Sequence, residues 1–220
     1  MIKCVLFDLD GTLLSTLDTI AYHLNQTLSS LSLGFVTVED CSRFIGNGAR
    51  KLVARSLDKN GISDEEILGR VLKMYNESYD SDPIPHTAPY PGVVGLVDVL
   101  YSRGVVLGVV TNKPEPTAKK LIDRFFPGKF AYVRGGREGA VLKPDPKDSL
   151  DILGLLGLEA SECAFVGDTS VDIQTGKNMR AALSIGVSWG FRGREELVSA
   201  GADLVADNAD DILRVLAEVL

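Results

Sequence analysis

Short apolar, β-branched runs recur along this chain, with helix-length amphipathic stretches between them. The runs are Cys4–Phe7, Val105–Val110, Ala131–Val133, Cys163–Val166, Leu183–Val187 and Leu204–Val205. Brief runs without polar alternation suit strands buried on both faces. Their alternation with helical stretches predicts an α/β fold, a doubly wound, Rossmann-like parallel sheet with helices on both faces.

One region breaks the alternation. Between Ser15 and Tyr79 no strand pattern is visible. Leu17, Ile20, Ala21, Leu24, Leu28 and Leu31 recur at helical spacing instead. Thr37-x-x-Asp40 and Ser63-x-x-Glu66 read as capping boxes that open further helices. Leu52, Val53 and Leu57 support a helix between those two. Pro83, Pro85, Pro89 and Pro91 then stiffen the way back. The expected organisation is a core domain of residues 1–14 and 85–220, with an all-helical lid of residues 15–84 inserted after the first strand. Ser15–Thr16 and Ser81–Gly92 are the expected hinges.

Composition narrows the partners. At 220 residues and 45% hydrophobic, the chain can bury a sizeable core. The net charge is −7, and no basic run appears, which argues against a nucleic-acid surface. No stretch approaches the apolar length of a membrane span, and no secretory signal core opens the chain. Three cysteines without CxxC spacing fit a reducing cytoplasm. The expectation is a cytoplasmic monomer or homodimer with no membrane partner.

The chemistry sits where runs end. Asp8-Leu9-Asp10-Gly11-Thr12 follows the first strand, and Thr111-Asn112-Lys113 follows the second. Lys143-Pro144 precedes a helix, and Gly167-Asp168 with Asp172 follows the run at Cys163. Each has an ordinary reading alone: a solvated turn, a helix cap, a surface lysine. In a doubly wound sheet, however, such junctions converge on one crevice. Four carboxylates, a hydroxyl, an amide and a lysine then meet, and carboxylates around Mg²⁺ facing a lysine and a hydroxyl make a phosphate site.

At this point the sequence resembles the haloacid dehalogenase superfamily. Its four motifs stand in order as Asp8-x-Asp10-Gly-Thr12, Thr111, Lys143 and Gly-Asp168-x-x-x-Asp172, and the resemblance covers essentially the whole chain. The inserted helices are similar to that superfamily's lid. Ile45-Gly46-Asn47-Gly48, Pro89-Tyr90-Pro91-Gly92 and Val110-Thr111-Asn112-Lys113-Pro114 look most like phosphoglycolate phosphatases. Two places depart: Ser15, where relatives often carry Asp, and Gly135–Leu142, which fits the pattern loosely.

The resemblance implies a small phosphorylated metabolite as substrate, with 2-phosphoglycolate foremost. It implies Asp8 as nucleophile, Asp10 as acid and then base, and Mg²⁺ held by Asp8, the Asp10 carbonyl, Asp168 and Asp172. Lys143 would neutralise Asp8 and the phosphate, while Thr111, Asn112 and Thr12 would hold the transferring group. Gly46, Asn47, Gly48 and Arg50, with Lys51 nearby, would meet the substrate's distal carboxylate. His23 and Met74 read as lid core or surface, and His86 has no evident acidic partner. A phosphosugar mutase or a pyrophosphatase of the same superfamily shares the motifs. A dehalogenase lacks the second carboxylate of the Asp-x-Asp pair, and a non-enzymatic regulator requires a missing catalytic residue. All are present here.

Overall fold

The computed structural model describes residues 1–217. It divides into two compact units: one formed by Met1–Leu14 and the chain from Pro89 onward, the other by Ser15–Ala88.

The first unit is built on a six-stranded parallel sheet. Strand β1 is Cys4–Phe7. Two-residue strands β2 (Leu14–Ser15) and β3 (Ala88–Pro89) mark where the chain leaves the unit and returns. The remaining sheet strands are β4 (Val106–Pro114), β5 (Tyr132–Gly136), β6 (Cys163–Gly167), β7 (Leu183–Val187) and β8 (Leu204–Ala206). The order is β5-β4-β1-β6-β7-β8, and every pairing is parallel. β1 therefore lies between β4 and β6, where the winding reverses. At such a switch point the loops beyond the strand ends part and leave a crevice.

Period-two alternation explains why the apolar runs look continuous. Val5 and Phe7 face one side, against α5 (Val93–Ser102), α6 (Glu115–Phe125) and α10 (Ala209–Ala217). Cys4 and Leu6 face the other, against α7 (Lys147–Leu156) and α8 (Ser170–Met179). With both faces covered, no position in β1 can be polar, and all four of its residues are buried.

The second unit is four helices: α1 (Leu17–Ser30), α2 (Val38–Phe44), α3 (Ala49–Lys59) and α4 (Glu65–Ser81). Its core is the set that helical spacing picks out, with Ile20, Leu24, Leu28, Leu52, Val53, Leu57, Val71 and Tyr75 all buried. His23 is buried and bridges helices, with Nδ1 2.8 Å from Ser78 Oγ and Nε2 2.9 Å from the Asp82 carbonyl oxygen. The returning segment is tied to α1 through the Thr19 and Thr87 hydroxyls, 2.9 Å apart. Among the described residues, no helix is long and apolar enough to cross a membrane.

The two expected caps fare differently. Thr37 and Asp40 form a full capping box on α2. Ser63 does not cap α4. Asp64 does, its carboxylate accepting from the N–H groups of Glu66 at 2.8 Å and Ile67 at 2.9 Å. A carboxylate at the cap also meets the positive end of the helix dipole, which a hydroxyl one residue earlier cannot do. Asp64→Ala should therefore destabilise the helical unit by about 1 kcal/mol, and Ser63→Ala by less than about 0.5 kcal/mol. Urea melts of the two variants check this, and the reverse order contradicts it.

Candidate active site

Asp8 is the first residue past β1, and its N–H donates to the Val166 carbonyl at 2.9 Å. The chain then turns sharply. Gly11 has φ of +84°, and a Cβ there would fall 2.3 Å from Asp168 Oδ2, so only glycine fits. The turn carries Thr12 back to Asp168, its hydroxyl donating to Oδ1 at 3.3 Å.

β6 ends in Gly167, where a Cβ would lie 2.2 Å from the Cβ of Asp172. The bare backbone lets Asp168 and Asp172 close on β1. Thr169 caps α8, and Asp172 returns the capping box: its Oδ2 accepts from the Thr169 N–H at 3.0 Å and hydroxyl at 2.7 Å. That fixes the carboxylate and leaves Oδ1 for Lys143, whose ammonium stands 2.6 Å away. The same ammonium is 2.8 Å from Asp8 Oδ1. Lys143 thus bridges the tip of β1 and the first turn of α8.

Lys143 itself is held by Asn112. Its N–H donates to Asn112 Oδ1 at 2.8 Å, and Asn112 Nδ2 donates to its carbonyl at 3.3 Å. The amide expected to face a phosphate thus also clamps the lysine's backbone. Thr111 is buried, and its Oγ1 accepts from the Lys113 N–H at 3.3 Å. Neither residue caps α6. β4 instead continues through them to Pro114, with a register shift between Val110 and Pro114.

The charges do not balance. Asp8, Asp168 and Asp172 are buried, with carboxylate oxygens mutually within 4.8 Å. Lys143 alone bridges two of them. Burial, Asp172 and, least, Asp10 push the Asp8 carboxyl up to about 6 against the pull of Lys143. Burial, with Asp172 and Asp8 beside it, raises Asp168 well above the usual carboxylate range. Burial would lower the Lys143 ammonium, but Asp172 and Asp8 outweigh it and raise it. Among the described residues, Asp8 Oδ1 is buried without a well-aligned hydrogen bond. Three buried acids offering only oxygen to one small volume fit a hard divalent cation.

Three contributors escaped the sequence reading. Lys113 is buried, and its ammonium lies 3.1 and 3.2 Å from the two oxygens of Asp10. It stands two residues past Thr111, a spacing that puts strand residues on one face. Phe191 donates its N–H to Asp168 Oδ2 at 2.7 Å, and the Trp189 indole donates to the Thr12 carbonyl at 3.1 Å. The loop after β7 carries no acidic residue before Phe191, and its hydroxyl, Ser188, donates to Asp207 instead at 2.7 Å.

The structure therefore gathers Asp8, Asp10, Thr12, Thr111, Asn112, Lys143, Asp168 and Asp172 at the switch point. Gly46, Asn47 and Gly48 form the turn between α2 and α3 in the helical unit, and Arg50 stands in the first turn of α3. Asn47 Oδ1 accepts from Arg55 at 3.0 Å, which fixes the turn, and Arg50 is exposed and paired with Glu65.

A family model described as haloacid dehalogenase-like hydrolase matches residues 5–184. A phosphoglycolate phosphatase of Rhodospirillum rubrum is 35% identical over 94% of this chain and 88% of its own length. One from Aquifex aeolicus is 31% identical over 97% and 96%. The crystal structure of a predicted phosphoglycolate phosphatase from Haemophilus somnus superposes with a TM-score of 0.91 at 26% identity, covering 98% of each chain. With the matched residues running from β1 into β7 and through every junction just described, the chain belongs to the haloacid dehalogenase-like hydrolase family.

Proposed function

We propose that this protein is a Mg²⁺-dependent phosphatase that hydrolyses a small phosphate monoester, 2-phosphoglycolate foremost, through an aspartyl-phosphate on Asp8. That it is a phosphoric monoester hydrolase rests on its family and its relatives. The observation that carries the finer reading is Lys143 bridging Asp8 and Asp172. A nucleophile and a cation-binding acid then share one fixed ammonium.

Asp8 attacks phosphorus, forming a P–O bond to its carboxylate as the ester P–O bond breaks. Asp10, as the acid, gives its proton to the leaving alkoxide. The resulting Asp10 carboxylate then takes a proton from water, which attacks the phosphoryl group and frees Asp8 and inorganic phosphate. Lys143 offsets charge on Asp8 and on the phosphoryl oxygens, and Thr111, Asn112 and Thr12 would offer hydrogen bonds to the transferring group. Asp8, the Asp10 carbonyl, Asp168 and Asp172 would hold Mg²⁺, which supplies charge neutralisation between an anionic nucleophile and an anionic ester. Three buried, unpaired cysteines suit a cytoplasmic setting.

The helical unit acts as the lid, and the Gly46-Asn47-Gly48 turn with Arg50 sets specificity. Its two flanking connections, one carrying several prolines, favour movement as a body over local melting. Arg50 must then exchange Glu65 for the substrate carboxylate. The pair is exposed, so its release costs little.

Asp8→Asn should leave the fold intact and reduce turnover by several orders of magnitude, measured as phosphate release. A variant retaining about a tenth of the activity would contradict the covalent route.

The metal reading has a pH signature. Asp8 is raised from 3.8 to about 6, and Asp168 is raised too, so the folded metal-free protein binds more protons than the unfolded chain in that window. Its stability therefore falls as pH rises through the window. Asp40, lowered by Lys59 and Thr37, acts only at more acid pH and does not interfere. The thermal midpoint gained on adding Mg²⁺ to chelator-treated protein should grow between about pH 5 and pH 7. An equal gain at both ends, or none, contradicts the site.

Arg50→Ala should lower kcat/KM for phosphoglycolate by about tenfold while changing that for p-nitrophenyl phosphate by less than about twofold. An unchanged ratio removes Arg50 from the specificity set.

A further inference from the structure

Lys113 is a second buried ammonium in the crevice, and the reaction just described gives it no task. Its side chain is only 5% exposed. A lysine is rarely buried to that degree without an ionic partner, because desolvation of the ammonium is costly. Its partner is Asp10, the proposed acid and base.

The geometry is specific. The Lys113 ammonium sits almost equally far from the two Asp10 oxygens, at 3.1 and 3.2 Å. Contact with both oxygens limits rotation of the carboxylate about its last bond, which one contact does not. The lysine's own backbone is pinned where β4 shifts register, its N–H donating to Thr111 Oγ1 at 3.3 Å. Asp10 is 19% exposed in its side chain, the more open end of the pair. The carboxylate is thus anchored from inside and remains reachable from the crevice.

Asp10 follows Asp8 by two residues, beside a cluster that attracts and repels it at once. Lys143 attracts a carboxylate, as would a cation held by the cluster, and Asp8, Asp168 and Asp172 push it away. A carboxylate left to that balance has several resting places. An acid–base group works from one place, since a misplacement of about 1 Å can cost about a hundredfold in rate.

We propose that Lys113 is a positioning residue that sorts the carboxylates of the site: Lys143 takes Asp8 and Asp172, and Lys113 keeps Asp10 out of that cluster, at the single place from which it serves the leaving oxygen and the water. The role rests on the acid–base reading of Asp10. Lys113 acts on the reaction through Asp10, the acid–base group its ammonium contacts.

A double-mutant cycle tests this, with single-turnover phosphate release from 2-phosphoglycolate at saturating Mg²⁺ as the readout. Lys113→Met should lower the rate by about tenfold or more, with the substrate concentration at half-maximal rate changed less than about twofold. Lys113→Arg, which keeps a cation facing Asp10, should recover most of the loss. In an Asp10→Asn background, Lys113→Met should change the rate less than about twofold. A loss that persists in that background, or that appears in substrate affinity, overturns the proposal, as does full activity in Lys113→Met. If Asp10→Asn itself costs nothing, the acid–base reading fails and takes the proposal with it, a distinct result. Thermal midpoints of all variants separate folding from function. Should Lys113→Met not fold, Lys113→Gln closes the same cycle.

Discussion

Charge compensation is the constraint on which the rest of this structure depends. The switch point gathers Asp8, Asp168 and Asp172 into one buried volume, with Asp10 beside them. Carboxylates so close cannot all ionise without cations, and burial deepens the penalty. The fold supplies two lysines, Lys113 from the end of β4 and Lys143 from the connection between β5 and α7. Lys143 reaches Asp8 and Asp172, and Lys113 reaches Asp10. The remaining imbalance is what a divalent ion would resolve, and the same excess of negative charge would give the crevice affinity for a metal.

Each supporting feature serves that arrangement. The left-handed turn at Gly11 and the bare Gly167 leave room for the Asp168 and Asp172 side chains beside the paired ends of β1 and β6. The Thr169–Asp172 capping box spends one carboxylate oxygen on α8 and aims the other at Lys143. Asn112 grips Lys143 by its backbone, which holds in place the residue whose ammonium faces Asp8 and Asp172. A helix cap and a strand-end amide, ordinary devices of local structure, here become parts of the electrostatic frame.

Much of this was legible in the residues. The unbroken apolar run Cys4–Phe7 needs a sheet covered on both faces, and the helical spacing of Leu24, Leu28 and Leu57 needs a separate apolar core. Strand ends carrying Asp8 and Asp168, and the helix-start junction carrying Lys143, point to one crevice because winding brings such junctions together. Lys113 was not legible, since nothing in a sequence separates a buried lysine from a solvated one until its partner is known. Phe191 and Trp189 were not either, because they contribute a backbone N–H and an indole N–H from a loop of no fixed pattern. Asp64 was displaced by Ser63 in the reading for a related reason: both residues suit a cap, and the choice is made by the backbone geometry of one turn.

The central claim is that Asp8 carries the phosphoryl group. It is tested most directly by quenching the enzyme in acid during turnover of phosphoglycolate with Mg²⁺ and analysing its peptides by mass spectrometry. The account predicts that the peptide containing Asp8 gains the mass of one phosphoryl group, and that the adduct is lost on treatment with hydroxylamine, as an acyl phosphate requires. Release of phosphate at the full rate with the Asp8 peptide unmodified at every quench time would contradict it.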